Sequence, residues 1–313
     1  LELDYLDASS YNIQNLSGLE YCVNLQELYL WYNQISDISA LTGLTNLQSL
    51  FLWHNQISDI SALAGLTNLY YLDLDDNQIE NISALANLIN LWTLYLGYNQ
   101  ISDISALSGL TNLYRLDLEE NQIENISALA GLTNLHYLFL SHNQISDITA
   151  LSGLTNLWTL YLSYNQISDI SVLANLINLQ DLSLWHNQIS DISALAGLAN
   201  LYYLYLEENQ IENISALAGL TNLWTLYLSY NQISDISALA GLTNLQYLDL
   251  TNNPNLDTSP GSDNRIIIDD LIDNGCEVIF DEAGEANSQS IEQGKYKKDF
   301  MDERIKKNMS KKK

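Results

Sequence analysis

The stretch LWTLYLSYNQISDISALAGLTN, residues 223–244, carries the pattern that decides the fold of this chain. Its apolar residues stand at positions 1, 4, 6, 11, 14, 17 and 20 of a 22-residue unit, and this spacing recurs along most of the sequence. Leu245 opens a partial unit, and eleven complete units open at the leucines numbered 3, 25, 47, 69, 91, 113, 135, 157, 179, 201 and 223. Self-similarity at a short fixed period is the signature of a stacked repeat architecture.

Each unit is predicted to form one short strand and a tight return. Positions 4 and 6 alternate with the variable positions 3, 5 and 7, which is the period-two pattern of a strand. The later spacing of three suits a short helical or 3-10 segment. A single unit cannot bury its own leucines, but stacked units share one continuous core. We therefore predict an α/β repeat, a curved solenoid with a parallel β-sheet on its concave face and short helical or 3-10 returns on its convex face.

Two further columns of the repeat predict how the turns are held. Position 9 is Asn in eleven consecutive units, from Asn33 to Asn253. An inward-facing amide can donate and accept hydrogen bonds, so we expect it to satisfy backbone groups in the turns of neighbouring units. Position 19 is Gly in most units and Asn at Asn87 and Asn175. Because these two residue types tolerate a left-handed backbone best, we expect a tight left-handed turn there.

The sequence NQISDISALxGLTNL, in which x varies, occurs at 33–47, 55–69, 99–113 and 231–245. It resembles the repeat of the bacterial leucine-rich-repeat proteins with 22-residue units, the internalin type. The resemblance covers about residues 3–256. It implies a leucine-rich-repeat solenoid that binds its partners through the variable strand positions, and the partners of that family are diverse.

The C-terminal part of the chain departs from the repeat. RIIIDDLIDNGCEVIFD, residues 265–281, is predicted to form an amphipathic helix, a stop at Gly275 and a final strand. The polar-to-basic tail that follows is interpreted as solvated or weakly helical, with an anchor to an anionic surface or partner as the alternative. We assign a repeat array to residues 1–256, a C-terminal cap to 257–281 and the flexible tail to 282–313.

The first unit is degenerate, and each end of the array carries one cysteine. Tyr11 takes the place of the recurring Asn in the first unit, so we expect a cap upstream of it. Cys22 and Cys276 lie at opposite ends of an array about 50 Å long, as parallel strands spaced about 4.8 Å apart predict. A disulfide needs far closer Cα atoms, so we expect two buried free thiols.

The charge of the chain is divided sharply between its two parts. The net charge is −27, but nine of the eleven Lys and Arg residues follow residue 281. The first 281 residues contain only Arg115 and Arg265 as basic residues, against 32 Asp and Glu. Such a body repels polyphosphates and anionic membranes, so we predict that the repeats bind no nucleic acid. No apolar run is long enough for a transmembrane segment.

No catalytic or cofactor-binding constellation is found in the sequence. The GxSxG, P-loop and HExxH motifs are all missing. His54, His142 and His186 share position 8 but are separated by about 10–20 Å along the array, too far to close around one zinc ion. We therefore predict no enzyme activity, no cofactor and no metal ligand, and we interpret the histidines as ordinary solvated side chains.

Acidic residues cluster in three units, and two interpretations stay open. A calcium ion takes about six to eight oxygen ligands, which such clusters supply. However, the unit that carries Tyr95 and Gly97 lies between the first two clusters, so we do not expect one ion to bridge them. We interpret the clusters as a solvated acidic stripe, with a calcium site as the alternative. The clusters are Asp73, Asp75 and Asp76; Asp117, Glu119 and Glu120; and Glu207 and Glu208.

The aromatic residues carry the functional signal. Of the 30 Trp, Tyr and Phe residues, 25 stand at positions 2, 3, 5, 7 and 8, including all six tryptophans. Since Leu and Ile already fill the core, we expect these rings on or beside the concave face. One explanation is that sheets favour aromatics and that recent duplication copied them. We favour ligand recognition, because exposed apolar patches mark contact surfaces and Tyr and Trp are frequent hot-spot residues.

We predict a non-enzymatic recognition scaffold whose aromatic and acidic concave face binds a protein with a basic surface. The alternatives are a carbohydrate-binding module, in which sugars stack on Tyr and Trp, and a structural spacer or adhesin stalk. We favour a monomer and an extracellular or cell-surface location, with the cytoplasm as the alternative. The predicted ligand-binding residues are Tyr29, Trp31, Phe51, Trp53, Tyr71, Asp73, Trp92, Tyr95, Asp117, Glu119, Tyr137, Phe139, Trp158, Tyr161, Trp185, Tyr203, Tyr205, Trp224 and Tyr227.

Overall fold

In the computed structural model, which describes residues 3–282, each unit forms one three-residue strand. A thirteenth strand follows the twelve strands of the units. The strands are β1 (Tyr5–Asp7), β2 (Glu27–Tyr29), β3 (Ser49–Phe51), β4 (Tyr71–Asp73), β5 (Thr93–Tyr95), β6 (Arg115–Asp117), β7 (Tyr137–Phe139), β8 (Thr159–Tyr161), β9 (Asp181–Ser183), β10 (Tyr203–Tyr205), β11 (Thr225–Tyr227), β12 (Tyr247–Asp249) and β13 (Glu277–Ile279).

The thirteen strands form one parallel sheet in which each strand pairs with the next along the chain. The register joins equal positions of neighbouring units, so Leu28 lies beside Leu50 and Leu50 beside Leu72. These leucines are fully buried in the core, and alternation turns positions 3, 5 and 7 to the opposite, concave side. The predicted leucine-rich-repeat solenoid is confirmed. Eleven or twelve strands were expected, and the further strand, β13, comes from outside the repeats.

The returns on the convex side are short 3-10 helices, as the spacing of three predicts. An Asp or Asn at position 13 precedes each of them, and its side chain accepts a hydrogen bond from the backbone N–H two residues later. From the second unit onward, that N–H belongs to the first residue of the 3-10 helix. Asp37 Oδ1, for example, accepts from Ser39 N at 2.8 Å. The 3-10 helices are Leu19–Tyr21, Ser39–Leu41, Ser61–Leu63, Ser83–Leu85, Ser105–Gly109, Ser127–Leu129, Thr149–Gly153, Ser171–Asn175, Ser193–Gly197, Ser215–Gly219 and Ser237–Leu239.

The left-handed turn predicted at position 19 is wrong, because the chain places it at position 8. No glycine at position 19 has a positive φ, and neither does Asn87 or Asn175. Instead the residue at position 8 has φ between 51° and 57° in every unit from the second to the twelfth, although it is Tyr, His, Asp, Glu or Asn. The chain leaves the sheet at this point, and the position-8 N–H still bonds to the next unit, as Tyr32 N does to Trp53 O at 3.0 Å. Backbone pairing thus overrides the residue preference that the prediction used.

Replacing Tyr230 by Asn is expected to stabilise the array by up to about 1 kcal/mol. The left-handed conformation costs most side-chain-bearing residues roughly that much free energy, and it costs Asn less because its short polar side chain can form local hydrogen bonds. Tyr230 has φ 56° and an exposed side chain, so little packing is lost. Urea unfolding measures the change. Tyr230→Ala keeps the backbone penalty and should show no gain; a less stable Asn variant would contradict the explanation.

The recurring Asn at position 9 is buried in nine of its eleven units, and its side chain joins two successive units, as predicted. Asn143 Oδ1 accepts a hydrogen bond from Ile123 N at 3.0 Å. Its Nδ2 donates to Leu118 O at 2.9 Å and to Leu140 O at 3.0 Å. The side chain therefore satisfies backbone groups of its own unit and of the preceding one, which no water reaches.

Asn143→Ala is expected to lower the free energy of unfolding by at least about 1–3 kcal/mol, because it leaves buried backbone groups without partners. Chemical denaturation of the purified chain measures this loss. The matched control is Asn156→Ala at position 22, where the exposed amide makes a single bond to Thr133 O at 2.9 Å. Equal losses in the two variants would show that burial does not set the cost.

The C-terminal end of the core is covered by helix α1 (Asp263–Asp273) and by strand β13, which pairs with β12. Ser262 caps the helix by accepting a hydrogen bond from Arg265 N, and Ile268 and Leu271 pack into the core. The two cysteines, one at each end, are buried and free, as predicted.

Within residues 3–282, no helix has the length and the apolar character that crossing a membrane requires. The flexible tail predicted for 282–313 lies, from residue 283 onward, outside the described residues.

Candidate recognition surface

The concave face consists of three inner columns and two edges. Because the register is constant, the same position of successive units stacks into a column with the strand spacing of about 4.8 Å. Positions 3, 5 and 7 form the inner columns. We call position 2, which precedes each strand, the front edge, and position 8, which follows it, the rear edge.

The front edge contains a row of stacked rings. The Trp92 ring lies between Tyr70 and Tyr114, with centroid distances of 5.9 and 4.6 Å and interplanar angles of 14° and 12°. His136 continues the row at 4.4 Å from Tyr114. Since each ring covers the face of the next, the row turns ring edges rather than ring faces to the solvent.

A second stack on the front edge pairs Tyr202 with Trp224 at 5.5 Å and 13°. The three tryptophans of this edge keep substantial exposure, at 38% for Trp92, 36% for Trp158 and 42% for Trp224. Tyr70, Tyr114, His136 and Tyr202 were not among the predicted site residues. Their shared position with the tryptophans was the signal that could have identified them.

The inner columns also hold stacked rings. Tyr29 and Phe51 stack at 4.3 Å, and Tyr205 and Tyr227 stack at 5.1 Å. These pairs come from adjacent strands, so each ring is partly covered by its neighbour.

Three inner rings that were expected to project into solvent are instead buried, at 6% exposure for Tyr95, 4% for Phe139 and 9% for Tyr161. They lie outside the cluster of leucines and isoleucines that forms the core. Neighbours on the concave side cover them; Phe139 packs edge-on against Tyr161 at 5.2 Å. The expectation of exposure is wrong because large side chains on strands so close together shield one another.

The first two acidic clusters meet at Gly97, which stands at position 7 of the unit between them. Asp75 Oδ1 and Asp117 Oδ1 each lie 3.3 Å from the point that a β-carbon of Gly97 would occupy. Asp75 Oδ1 also accepts a hydrogen bond from Gly97 N at 2.6 Å. The intervening unit does not keep the two clusters apart, because a unit without a side chain at position 7 leaves space for both carboxylates.

Burial makes these carboxyl groups weaker acids. Loss of hydration raises the pKa of Asp73 to about 7 and that of Asp117 to about 6, against opposing backbone hydrogen bonds from Asp75 N and Glu119 N. Burial, followed by the charges of Asp73 and Asp117, raises the pKa of Asp75 well above its usual value. Part of this cluster is therefore protonated near neutral pH.

Arg115 is the single Lys or Arg among residues 1–264. Its guanidinium carbon lies 4.6 Å from the ring centroid of Phe139, 5.2 Å from Tyr95 and 5.5 Å from Tyr137. Its charge opposes the effect of burial and lowers the pKa of Asp117. Among the described residues its Nε has no hydrogen-bond partner. Arg115 therefore stabilises the acidic cluster through charge and holds the rings around it through cation–π contacts.

The histidines of the rear edge each contact an acidic side chain of an adjacent unit, which the sequence analysis missed. All three histidines remain exposed, as predicted, but the prediction did not include their acidic partners. A shared position in adjacent units was the available signal. The pairs are His54 with Asp76, His186 Nδ1 with Glu208 Oε2 at 2.6 Å, and His142 Nδ1 with Glu120 Oε1 at 3.6 Å.

The nineteen predicted ligand-binding residues lie on the front edge or in the inner columns and differ in accessibility. The exposed ones are Trp92, Trp158 and Trp224. The partly buried ones are Tyr29, Trp31, Phe51, Trp53, Tyr71, Glu119, Tyr137, Trp185, Tyr203, Tyr205 and Tyr227. The buried ones are Asp73, Tyr95, Asp117, Phe139 and Tyr161. In the part of the chain that is described, no three His, Cys, Asp or Glu residues are grouped so that they could hold a metal ion.

Comparison with known families assigns the chain to a class. The family described as Leucine Rich repeats (2 copies) matches the chain six times in succession, and the chain belongs to this leucine-rich-repeat family. The matched residues are 2–43, 45–87, 89–131, 133–175, 177–219 and 221–266.

Solved structures place it among the internalin-like members. An internalin from Listeria monocytogenes is 37% identical, with a TM-score of 0.76 over 92% of this chain and 88% of the internalin. A leucine-rich-repeat protein from Leptospira interrogans is 25% identical, with a TM-score of 0.70 over 89% and 84%. The plant peptide hormone receptor RGFR1, in complex with RGF2, is 30% identical with a TM-score of 0.66 over 74% and 41%. No curated protein sequence matches the chain.

Proposed function

We propose that this protein is a non-enzymatic recognition scaffold that binds a basic protein partner through its concave face. Repeat scaffolds of this family generally act in protein interactions, and the plant receptor was solved in complex with RGF2. The observation that carries the proposal is the combination of exposed aromatic edges with an acidic sheet. The front edge exposes three tryptophans, and Arg115 is the only basic residue of the array.

Charge supports a basic partner. Carboxylates occupy the inner columns and the rear edge, and Asp76 is exposed there. A surface of one sign raises the association rate of an oppositely charged partner, and salt weakens this effect. A lysine or arginine would contact the acids at the rear edge, where Asp76 is exposed and Glu208 partly exposed, because Asp73 and Asp117 are buried.

The arrangement of the rings favours a protein over a carbohydrate. Sugars pack their C–H groups on the electron-rich face of an aromatic ring. Both faces of Trp92 are covered by Tyr70 and Tyr114, and one face of Trp224 is covered by Tyr202. At Trp92 the ring edge, with its N–H donor, remains for contacts with peptide carbonyl groups and apolar side chains.

A selection experiment tests the proposal. A library of random twelve-residue peptides is displayed against the immobilised chain, and a glycan array is probed in parallel. We expect enriched peptides rich in Lys and Arg, no enriched glycan, and binding that weakens steeply with salt. Charge reversal at the rear edge, Asp76→Lys with Glu208→Lys, should abolish peptide binding.

The matched control for charge reversal is Asp59→Lys with Asp191→Lys at position 13, in the return segments away from the concave face. This control changes the net charge equally and should leave binding nearly unchanged. Glycan binding that is insensitive to salt would select the carbohydrate alternative. Selected peptides that tolerate the rear-edge reversal would contradict the proposed surface.

We also propose an extracellular or cell-surface location, because the internalin type to which the chain is related is often secreted or surface-associated. Protease treatment of intact cells, followed by immunoblotting, checks this. Full protection of the chain would count against it.

A further inference from the structure

Two stretches of the array are nearly identical in sequence. Residues 47–112, here called block 1, and residues 179–244, called block 2, lie 132 residues apart, which is six units. They differ at ten of 66 positions, and two of these differences replace Asp by Glu. Duplication explains the common sequence but does not require that the same side chains meet in the same way.

On the rear edge, both blocks build the same cluster. In block 1, Tyr32 of the preceding unit packs against Trp53 at 4.5 Å and against His54 at 4.1 Å, and His54 contacts Asp76. We call this set of four residues a rear cluster, and we use the same name for its counterpart in block 2.

In block 2 the counterparts repeat these contacts. Tyr164 packs against Trp185 at 4.7 Å and against His186 at 4.5 Å, and His186 Nδ1 lies 2.6 Å from Glu208 Oε2. The interplanar angle between tyrosine and tryptophan is 74° in block 1 and 64° in block 2. The two rear clusters therefore share a Tyr, a Trp, a His and an acid with similar ring distances, with Asp76 in block 1 and Glu208 in block 2.

On the front edge, the two blocks repeat a second feature. Tyr70 stacks on Trp92 at 5.9 Å and 14°, and Tyr202 stacks on Trp224 at 5.5 Å and 13°. The four rings of these pairs are all exposed. The inner columns between the edges differ more, as Asp73 corresponds to Tyr205 and Phe51 to Ser183. We call the rear cluster and the stacked front-edge ring pair of one block its frame. The frame recurs in both blocks, whereas the inner columns between the edges do not.

The third rear-edge histidine does not produce a third copy of this frame. His142 pairs with Glu120 of the preceding unit rather than with an acid of the following one. Position 7 of its unit is Ser141, where the blocks have tryptophan. The full combination therefore occurs twice, at a separation of six strands, which is about 29 Å along the sheet.

We infer that the concave face carries two equivalent docking subsites, one in each block, and that each accepts one basic polypeptide segment. The inference rests on the proposed function and specifies its stoichiometry. Neither block contains a Lys or Arg, and each rear cluster includes one acid that solvent reaches, Asp76 in block 1 and Glu208 in block 2. A partner with two such segments spaced by about 29 Å engages both subsites at once.

Calorimetry with two synthetic probes tests the stoichiometry. The first probe is a capped five-residue peptide of alternating arginine and tyrosine, and we expect two equal sites per chain. The second probe contains two copies of this peptide joined by ten Gly and Ser residues, which reach about 33 Å when extended. It should bind one per chain and at least about 100-fold more tightly, because the second contact is intramolecular. Two copies joined directly place their centres only about 17 Å apart and should show no such gain.

Matched double variants assign the sites. His54→Asn with Asp76→Asn in block 1, and His186→Asn with Glu208→Asn in block 2, keep a residue type that suits the left-handed backbone at position 8. Each should reduce the stoichiometry of the short probe from two to one and remove the gain of the linked probe. The control, Glu120→Asn alone, removes a rear-edge acid outside both blocks and should leave two sites. His142 is kept in this control, because its ring stacks at 4.1 Å on Tyr164 of the block 2 rear cluster.

The outcomes separate the two proposals. One site per chain, lost on mutation of a single block, would overturn the paired subsites and leave the recognition function standing. Two sites that survive both double variants would also overturn the inference, since the rear clusters would not form them. No binding of either probe would count against the basic partner itself, and hence against both proposals.

Discussion

Raising the pH from 5 to 8 is expected to lower the free energy of unfolding of the repeat array by roughly 2–4 kcal/mol, the scale that a pKa displaced by two to three units implies. In the unfolded chain an Asp carboxyl group titrates near pH 3.9. In the folded chain the pKa is about 7 for Asp73 and about 6 for Asp117. Between about pH 4 and pH 7 the folded state therefore binds more protons than the unfolded state, and its stability falls as the pH rises through this window.

Variants separate this cluster from the general repulsion among carboxylates, which acts in the same direction. Asp75→Asn removes the central charge and should flatten the dependence of stability on pH. Arg115→Gln removes the cation that lowers the pKa of Asp117 and should steepen it. Glu80→Gln, an exposed neutralisation in the same unit as Asp75, should change the slope little. Urea denaturation at several pH values measures all four chains, and equal slopes would show that the cluster at Gly97 does not govern the stability.

Truncation of an exposed front-edge tryptophan is expected to weaken partner binding about 5- to 150-fold, corresponding to the roughly 1–3 kcal/mol typical of an aromatic hot spot. Trp92→Ala and Trp224→Ala should do so with unchanged unfolding curves, because these side chains lie outside the core. The assay uses a peptide obtained in the display selection. Trp92→Phe, which retains an apolar ring, should recover part of the loss.

Buried inner rings should respond in the opposite way. Tyr95→Ala removes a side chain that is 6% exposed and packs beside Tyr71 and Arg115, so we expect a loss of stability of about 3 kcal/mol. The control for both classes is Tyr11→Ala, whose ring is exposed in the degenerate first unit. Binding that depends on Tyr95 as strongly as on Trp92, at full stability, would contradict the division of the face into accessible edges and a covered interior.

The repeat made the fold predictable because its signal is redundant. The leucines at positions 4 and 6, the Asn at position 9 and the spacing of three recur in nearly every unit, and each is explained by burial within the stack. The helix and strand after the repeats could also be predicted, since residues 265–281 show the apolar spacing of an amphipathic helix before Gly275 and that of a short strand after it. The position of the left-handed residue could not, because backbone pairing imposes it on Tyr, His and Glu alike.

The surface was predictable in outline only. The variable positions identified the concave face, but accessibility depends on pairs of side chains in adjacent units rather than on single residues. Gly97 shows this, since its missing side chain brings Asp75 and Asp117 together across a unit. Tyr95 shows the converse, because its neighbours cover a ring that the pattern alone would leave exposed. Comparing equal positions across adjacent units, rather than reading each unit alone, would have indicated both.

The hydrogen bonds of the recurring Asn have a consequence for how such a protein changes over generations. The side-chain amide of each Asn at position 9 bonds only to its own unit and the preceding one, as that of Asn165 does to Leu140, Leu162 and Ile145. A recombination event that removes or inserts one whole unit therefore rejoins compatible neighbours and costs the core nothing new. It would, however, alter the gap between residues 112 and 179 by one strand spacing, about 4.8 Å. The number of units between block 1 and block 2 therefore sets the distance between their rear clusters. Recombination can change this distance in steps of one strand spacing, so that it fits a partner of different size.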